Sequence, residues 1–210
     1  MAALVLVAVP VRAEPHTYTF YSITNNNPTD VAIGEAQLSV EVSDPGSEQV
    51  LFTFHNAGPE ASSIARIYFD DFALGLFEGI GGIEDGPGVR FGPGSSPPNL
   101  PGGNDMSPSF QTTAGLRAAA VAPAPHNGVN PDEWVGILLD LREDFGFDDV
   151  IAGIHTAKLR IGLHVIGFSG GGSESFVIVP APAAGLLALL GLGTAGVTLR
   201  RRGVSGRRAA

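Results

Sequence analysis

Apolar and polar residues alternate with a period of two along several short stretches of the chain, and turn-forming residues separate those stretches. Ala36, Leu38, Val40 and Val42 fall on one side of an extended chain, with Gln37, Ser39 and Glu41 on the other. That pattern predicts a half-buried strand, because successive side chains of a strand point to opposite faces. Asp44-Pro45-Gly46 then reads as a turn. Val50, Phe52 and Phe54 alternate with Leu51, Thr53 and His55, so the two runs predict a hairpin. Residues 64–69 form a third strand that ends at Asp70-Asp71. In residues 134–141, alternating Val135, Ile137, Leu139 and Leu141 favour strand over helix. Residues 157–165 give the clearest alternation, with Ala157, Leu159, Ile161, Leu163 and Val165 inward and Lys158, Arg160 and His164 outward. Residues 16–23 and 174–179, with weaker runs near Val89 and Ala118, bring the total to eight or nine strands.

No helical pattern longer than two turns appears before residue 183. The expected fold is therefore mostly β: an antiparallel two-sheet β-sandwich, with a jelly-roll-like arrangement as its finer version. A stretch rich in Gly, Pro, Ser and Asn over residues 79–111 is too long for an ordinary hairpin loop and predicts a surface excursion. Such an excursion either carries a binding function or is a variable decoration, and the sequence leaves both open.

Both ends of the chain depart from this pattern. Residues 2–10 are apolar, and Val11-Arg12-Ala13 places small residues at the −3 and −1 positions of a signal-peptidase site. Residues 1–13 thus read as a signal peptide. The basic n-region is missing, so Met1 reads as an internal or misassigned start. At the other end, residues 183–199 are 17 residues without a charge, followed directly by Arg200-Arg201-Arg202. At about 1.5 Å per residue this spans roughly 25 Å, the low end of a bilayer crossing. The arginines favour the cytoplasmic side, so the expectation is a C-terminal transmembrane helix with residues 14–178 as an ectodomain outside. Val179-Pro180-Ala181-Pro182 precedes it as an extended stretch that cannot continue a helix.

Charge sharpens the division. All 21 acidic residues lie between Glu14 and Glu174, against six basic ones, so this region carries a net charge of −15. Such a surface disfavours nucleic acid as a partner and leaves divalent cations and neutral polymers. With no cysteine in the chain, disulfides, thiolate metal sites and thiol nucleophiles are excluded.

Taken together, the Pro-x-Pro step, a short Gly/Ala/Leu-rich apolar segment and a terminal arginine cluster resemble the PEP-CTERM sorting signal over residues 179–210. Ala181 stands where that family has Glu. The sorting residues implied are Val179, Pro180, Ala181, Pro182, Arg200, Arg201 and Arg202. Residues 52–59, 62–71, 97–104, 127–131 and 159–176 also resemble an ectodomain that recurs with such tails. The resemblance implies recognition by an exosortase-type membrane enzyme and transient residence in the inner membrane of a Gram-negative bacterium. It implies a final place in the cell envelope, at the cell surface or in an extracellular matrix with exopolysaccharide, and it implies no assigned reaction.

Candidate chemistry in the ectodomain is sparse, and the chain reads as non-enzymatic. Adjacent carboxylates at Asp70-Asp71 and Asp148-Asp149 are the first candidates for a calcium ion, with solvated acidic turns as the alternative. No other cofactor is implied. Trp134 is a candidate for stacking on a sugar ring, with burial in the core as the alternative. His16, His55, His126, His155 and His164 show no two-ligand spacing. Gly191 to Gly196 match G-x-G-x-x-G but follow no strand, and Ser169 to Ser175 lack a nucleophile elbow. A carbohydrate- or calcium-binding adhesive module is the alternative function. A secreted hydrolase with two carboxylates from distant strands stands behind it.

Overall fold

The computed structural model describes residues 14–180. The signal-peptide expectation for residues 1–13 lies outside them, as do Ala181, Pro182, the apolar segment 183–199 and the arginine cluster. Among the described residues no helix is long and apolar enough to cross a membrane.

Alternation over residues 38–56 builds the hairpin that the sequence predicts. Strands β2 (Leu38–Gly46) and β3 (Gln49–Asn56) pair antiparallel, with Val40 opposite Phe54 and Val42 opposite Phe52. Their apolar rows therefore share one buried face. The turn lies further along than expected. Pairing continues past Asp44-Pro45-Gly46, with an irregularity between Ser43 and Gly46, to a final Gly46–Gln49 pair. Ser47 and Glu48 make the connection, with φ of 61° and 56°. Two successive positive φ angles define a type I′ turn, whose twist matches that of the paired strands.

Eight further strands complete the sheet: β1 (His16–Ser22), β4 (Ser63–Asp70), β5 (Phe77–Asp85), β6 (Phe91–Pro93), β7 (Arg117–Ala120), β8 (Glu133–Leu141), β9 (Arg160–Ile166) and β10 (Ser173–Ile178). The expected mostly β, antiparallel class is what the chain forms. The ten strands run in the order β5-β8-β3-β2-β1-β10-β9-β4-β7-β6. Strand β1 joins two halves, since His16–Thr19 pair with β2 and Phe20–Ser22 with β10. The outermost strands, β5 and β6, are neighbours in sequence. The turn between them is held by Gly86 N–H to the Trp134 carbonyl at 3.2 Å and Phe91 N–H to Asp85 Oδ1 at 2.9 Å. The sheet is thereby nearly closed into a barrel-like shape.

Its interior is aromatic at the centre. Phe52 of β3 meets Phe69 of β4 edge to face at 5.2 Å and Phe77 of β5 at 6.0 Å, and Phe54 meets Phe69 at 6.2 Å. Because β3 and β4 are far apart in the strand order, these contacts hold the two halves face to face. Edge-to-face geometry adds about 0.5–1.5 kcal/mol per pair to the burial of the rings.

The outer faces of the halves differ. Positions in β2 and β3 alternate between buried and half-exposed, whereas β4 and β10 are buried at almost every position and β9 at Ile161, Gly162, Leu163 and Val165. The excursion that follows β6 covers the latter. Its Leu100 and Phe110 settle over Gly162 of β9, where a Cβ would stand 2.6 Å from Leu100 Cδ2. A side chain at Gly162 would push the excursion away. The short helix α2 (Ala124–Asn127) adds cover, with Ser63 Oγ donating to the Pro125 carbonyl at 3.2 Å.

Two longer helices correct the expectation of none. Helix α1 (Pro28–Gln37) begins with Asn27, whose side chain accepts from Thr29 N–H at 3.0 Å, and a proline at the first position. Ala36 and Gln37 therefore end a helix rather than begin a strand. Helix α3 (Phe147–His155) starts with Asp149 Oδ2 accepting from Gly146 N–H at 2.9 Å and buries Val150, Ile151 and Ile154. The strand expected from residue 157 starts only at Arg160. Ala157, at φ 54° and exposed, belongs to the reversal out of α3, while Leu159 points inward as predicted. Residues 79–85 of strand β5 fall in the stretch expected to be irregular.

The turn geometry makes a stability prediction. Replacing Ser47-Glu48 by Asn-Gly should raise stability by about 1 kcal/mol, because both native residues sit in a backbone region that Asn and Gly tolerate better. Urea unfolding midpoints would show it, and a lowered midpoint would contradict the type I′ assignment.

Candidate functional site

The functional site candidate grows from the end of one strand pair. Asp70, the last residue of β4, lies opposite Arg160, the first of β9, so both side chains stand on the same outer face. Arg160 Nη2 donates to Asp70 Oδ2. The same guanidinium reaches the excursion, with Nη1 to the Pro108 carbonyl at 2.8 Å and Nη2 to the Ser109 carbonyl at 2.6 Å. It also lies 5.3 Å from the Phe110 ring centroid. Gln111 N–H donates to Asp70 Oδ2 at 3.0 Å. A planar fork with several donors suits this arrangement of one carboxylate and two carbonyls.

These ties shape a cleft of about 280 Å³. Its lining combines the charged Asp70, Lys158 and Arg160 with Phe72, Pro108 and Gln111. Phe72 is 77% exposed. Sequence reasoning singled out Asp70 here and missed Phe72, Gln111 and Lys158. The one signal for them is an aromatic residue directly after two aspartates at a strand end.

Asp71 turns the other way. It is buried, and its Oδ2 accepts from Phe77 N–H at 3.0 Å, which fastens the reversal from β4 to β5. Burial pushes its carboxyl pKa up, and hydrogen bonding from Phe77, Leu76 and Gly75 and the nearby Arg142 charge oppose that. Asp148 and Asp149 stand exposed in the first turn of α3, where Asp149 completes the cap. Carboxylates there also interact favourably with the helix dipole. Among the described residues, no three or more His, Asp or Glu side chains gather where they could hold one metal ion. Trp134 is half-buried in β8 opposite His55 of β3. Its ring lies against Gly86, where a Cβ would come within 3.1 Å.

Two buried polar clusters that the sequence did not reveal are fully structural. Gln37 Nε2 donates to Asn56 Oδ1 at 3.1 Å and Ser62 Oγ at 3.2 Å, while Asn56 Nδ2 donates to the Ser62 and Val129 carbonyls, both at 3.1 Å. Glu174 Oε1 accepts from Asn27 N–H at 2.8 Å and so seats the start of α1 against β10. His164, opposite Arg66 on β4, is within 3.3 Å of Ser175 Oγ. Burial first and the Arg66 charge second push its pKa down to about 4, against the pull of Glu174.

Comparison with protein-family models, with curated proteins and with solved structures finds no match to this chain. The cleft and the sequence patterns are therefore the basis for a functional reading.

His164 makes stability depend on pH. Its folded pKa lies below that of an unfolded histidine, so the unfolded state takes up a proton first as pH falls. The contribution is complete above about pH 6.5 and is lost as pH falls from there toward about 4. A loss on the order of 1–2 kcal/mol is expected, after allowance for the partial exposure of the ring. Urea midpoints at pH 7 and pH 4.5 should differ less in His164→Gln than in the native chain. An equal difference in both would contradict the buried neutral imidazole.

Proposed function

We propose that this chain is an exported, non-enzymatic protein of the cell envelope or extracellular matrix of a Gram-negative bacterium, sorted and processed through residues 179–210. The observation that carries this reading is where the fold ends. The last strand stops at Ile178, and Val179 N–H still bonds to the Thr19 carbonyl at 2.9 Å. The ten strands lie within residues 16–178. Val179-Pro180-Ala181-Pro182 then leads, in sequence, into 17 uncharged residues and three arginines. Hydrophobicity assigns such a segment to a bilayer, and the arginines behind it stop it there. An exosortase-type enzyme acts near Pro180 to Pro182, after which the body is released or attached among exopolysaccharide.

The nearly closed sheet is read as a two-layer, jelly-roll-like sandwich joined through β1, on the support of the Phe52–Phe69 and Phe54–Phe69 contacts between its halves. A carbohydrate-binding adhesive role for the body is the second reading, favoured by the open cleft beside Phe72. Calcium at Asp70, Asp71, Asp148 and Asp149 has less support, because Asp70 is engaged by Arg160 and Asp149 by the α3 cap.

Cell fractionation with mass measurement of the recovered C-terminus tests the proposal. The native chain should appear outside the cytoplasm, shortened near residues 180–182. Pro180→Ala with Pro182→Ala should leave the tail intact and the protein in the inner membrane. Full-length native chain in the cytosol would overturn the reading.

A further inference from the structure

We infer that the cleft between Phe72 and Lys158 binds an acidic sugar, a hexuronate unit of a polysaccharide, through one apolar ring face, one cation and several neutral or accepting groups. The inference deepens the proposed function and rests on it only for where such a polymer is met. The binding chemistry stands on the cleft itself.

Phe72 is far the most exposed large apolar side chain among the described residues, 77% against 43% for Val121 and 40% for Tyr21. Its backbone is nevertheless fixed. Asp71 before it is buried, and Phe72 N–H points to Asp70 Oδ1 at 3.4 Å. An aromatic plane held open to water on a pinned backbone costs solvation in the free protein and is available to a flat apolar partner. Pro108 in the same lining is held as well, its carbonyl accepting from Arg160 Nη1 at 2.8 Å. The site is thus preformed, which lowers the ordering cost of binding.

The polar groups narrow the partner further. The Arg160 charge is neutralised by Asp70, and its Nη1 and Nη2 also bond the two excursion carbonyls. Lys158 is exposed and in no ion pair among the described residues. It leaves one unengaged ammonium in the same cleft lining as Phe72, in a body whose net charge of −15 otherwise repels anions. Gln111 contributes only its backbone N–H to the fold in this region, which leaves its exposed side-chain amide for a ligand. Asp70 Oδ1 can accept from a hydroxyl. One carboxylate, several hydroxyls and one C–H face around a six-membered ring match this set. At about 280 Å³ the cleft falls just below the size of sites for drug-sized molecules and suits a single ring at a time.

Isothermal titration of the full-length chain in detergent micelles, with an oligogalacturonate and a neutral glucose oligomer of equal length, tests the inference. The acidic oligomer should bind saturably and at least about tenfold more tightly than the neutral one. Phe72→Ala and Lys158→Gln should each weaken acidic-oligomer binding about tenfold or more. Both side chains are exposed, so melting temperatures should stay at the native value. Absence of saturable binding, equal binding of both oligomers, or binding unchanged in both variants would overturn the inference. None of these results depends on where the cell delivers the chain, so failure here is distinguishable from failure of the sorting proposal.

Discussion

One guanidinium organises the functional half of this protein. Arg160, with its side chain only 14% exposed, joins the end of β4 to the excursion that follows β6 by bonding a carboxylate on the sheet and two carbonyls on the loop. A charge this buried is tolerable because Asp70 neutralises it and two carbonyls take further donors. Without Arg160, Asp70 would be left as an unpaired charge 6% exposed. The excursion would keep its apolar contacts, Leu100 and Phe110 over Gly162, and its hydrogen bonds at either end, Tyr68 Oη to the Pro97 carbonyl at 3.2 Å and Thr113 N–H to the Phe69 carbonyl at 2.9 Å. The guanidinium adds the tie at Pro108 and Ser109 between those anchors, which is how a segment so rich in Gly and Pro lies ordered on the sheet.

The two halves of the sheet follow from this arrangement. Strands β2 and β3 alternate because one of their faces meets the aromatic interior while the other meets water. Strands β4, β9 and β10 are apolar or tightly hydrogen-bonded on both faces because the excursion and α2 cover the outside. His164 belongs to this covered face, and burial, followed by the Arg66 charge, lowers its pKa. The cleft opens where the cover stops, at Pro108 to Gln111. Its walls are therefore a boundary between a sheet that is roofed and a sheet that is not.

Much of the sheet was readable from the sequence, since period-two alternation located β1 to β4 and β8 to β10 to within a few residues. The type I′ turn was not, because Ser47-Glu48 lacks the Asn-Gly signature and Asp44-Pro45-Gly46 offers a more conventional turn close by. Strand β5 escaped because Gly79, Gly81 and Gly82 dilute its pattern, and its pairing with β8 shifts register twice. Helix α1 escaped because what it buries is Asp30, Gly34 and Gln37 rather than an apolar stripe. At the site, Asp70 was visible as an acidic strand end. Its partner Arg160 lies ninety positions away in sequence, and only the β4–β9 register brings them together. The openness of Phe72 carried no sequence signal of its own, because exposure is set by tertiary structure and leaves no mark on local periodicity.

The central structural claim is that Arg160 fastens the end of the excursion at residues 108–111 to the sheet. Amide hydrogen exchange of Arg160→Met against the native chain tests it most directly. Protection should fall selectively at Gln111 and in the flanking excursion, residues 94–114, while β2 and β3 keep theirs. Unchanged protection across the excursion would contradict the claim, and so would a uniform loss across the whole sheet.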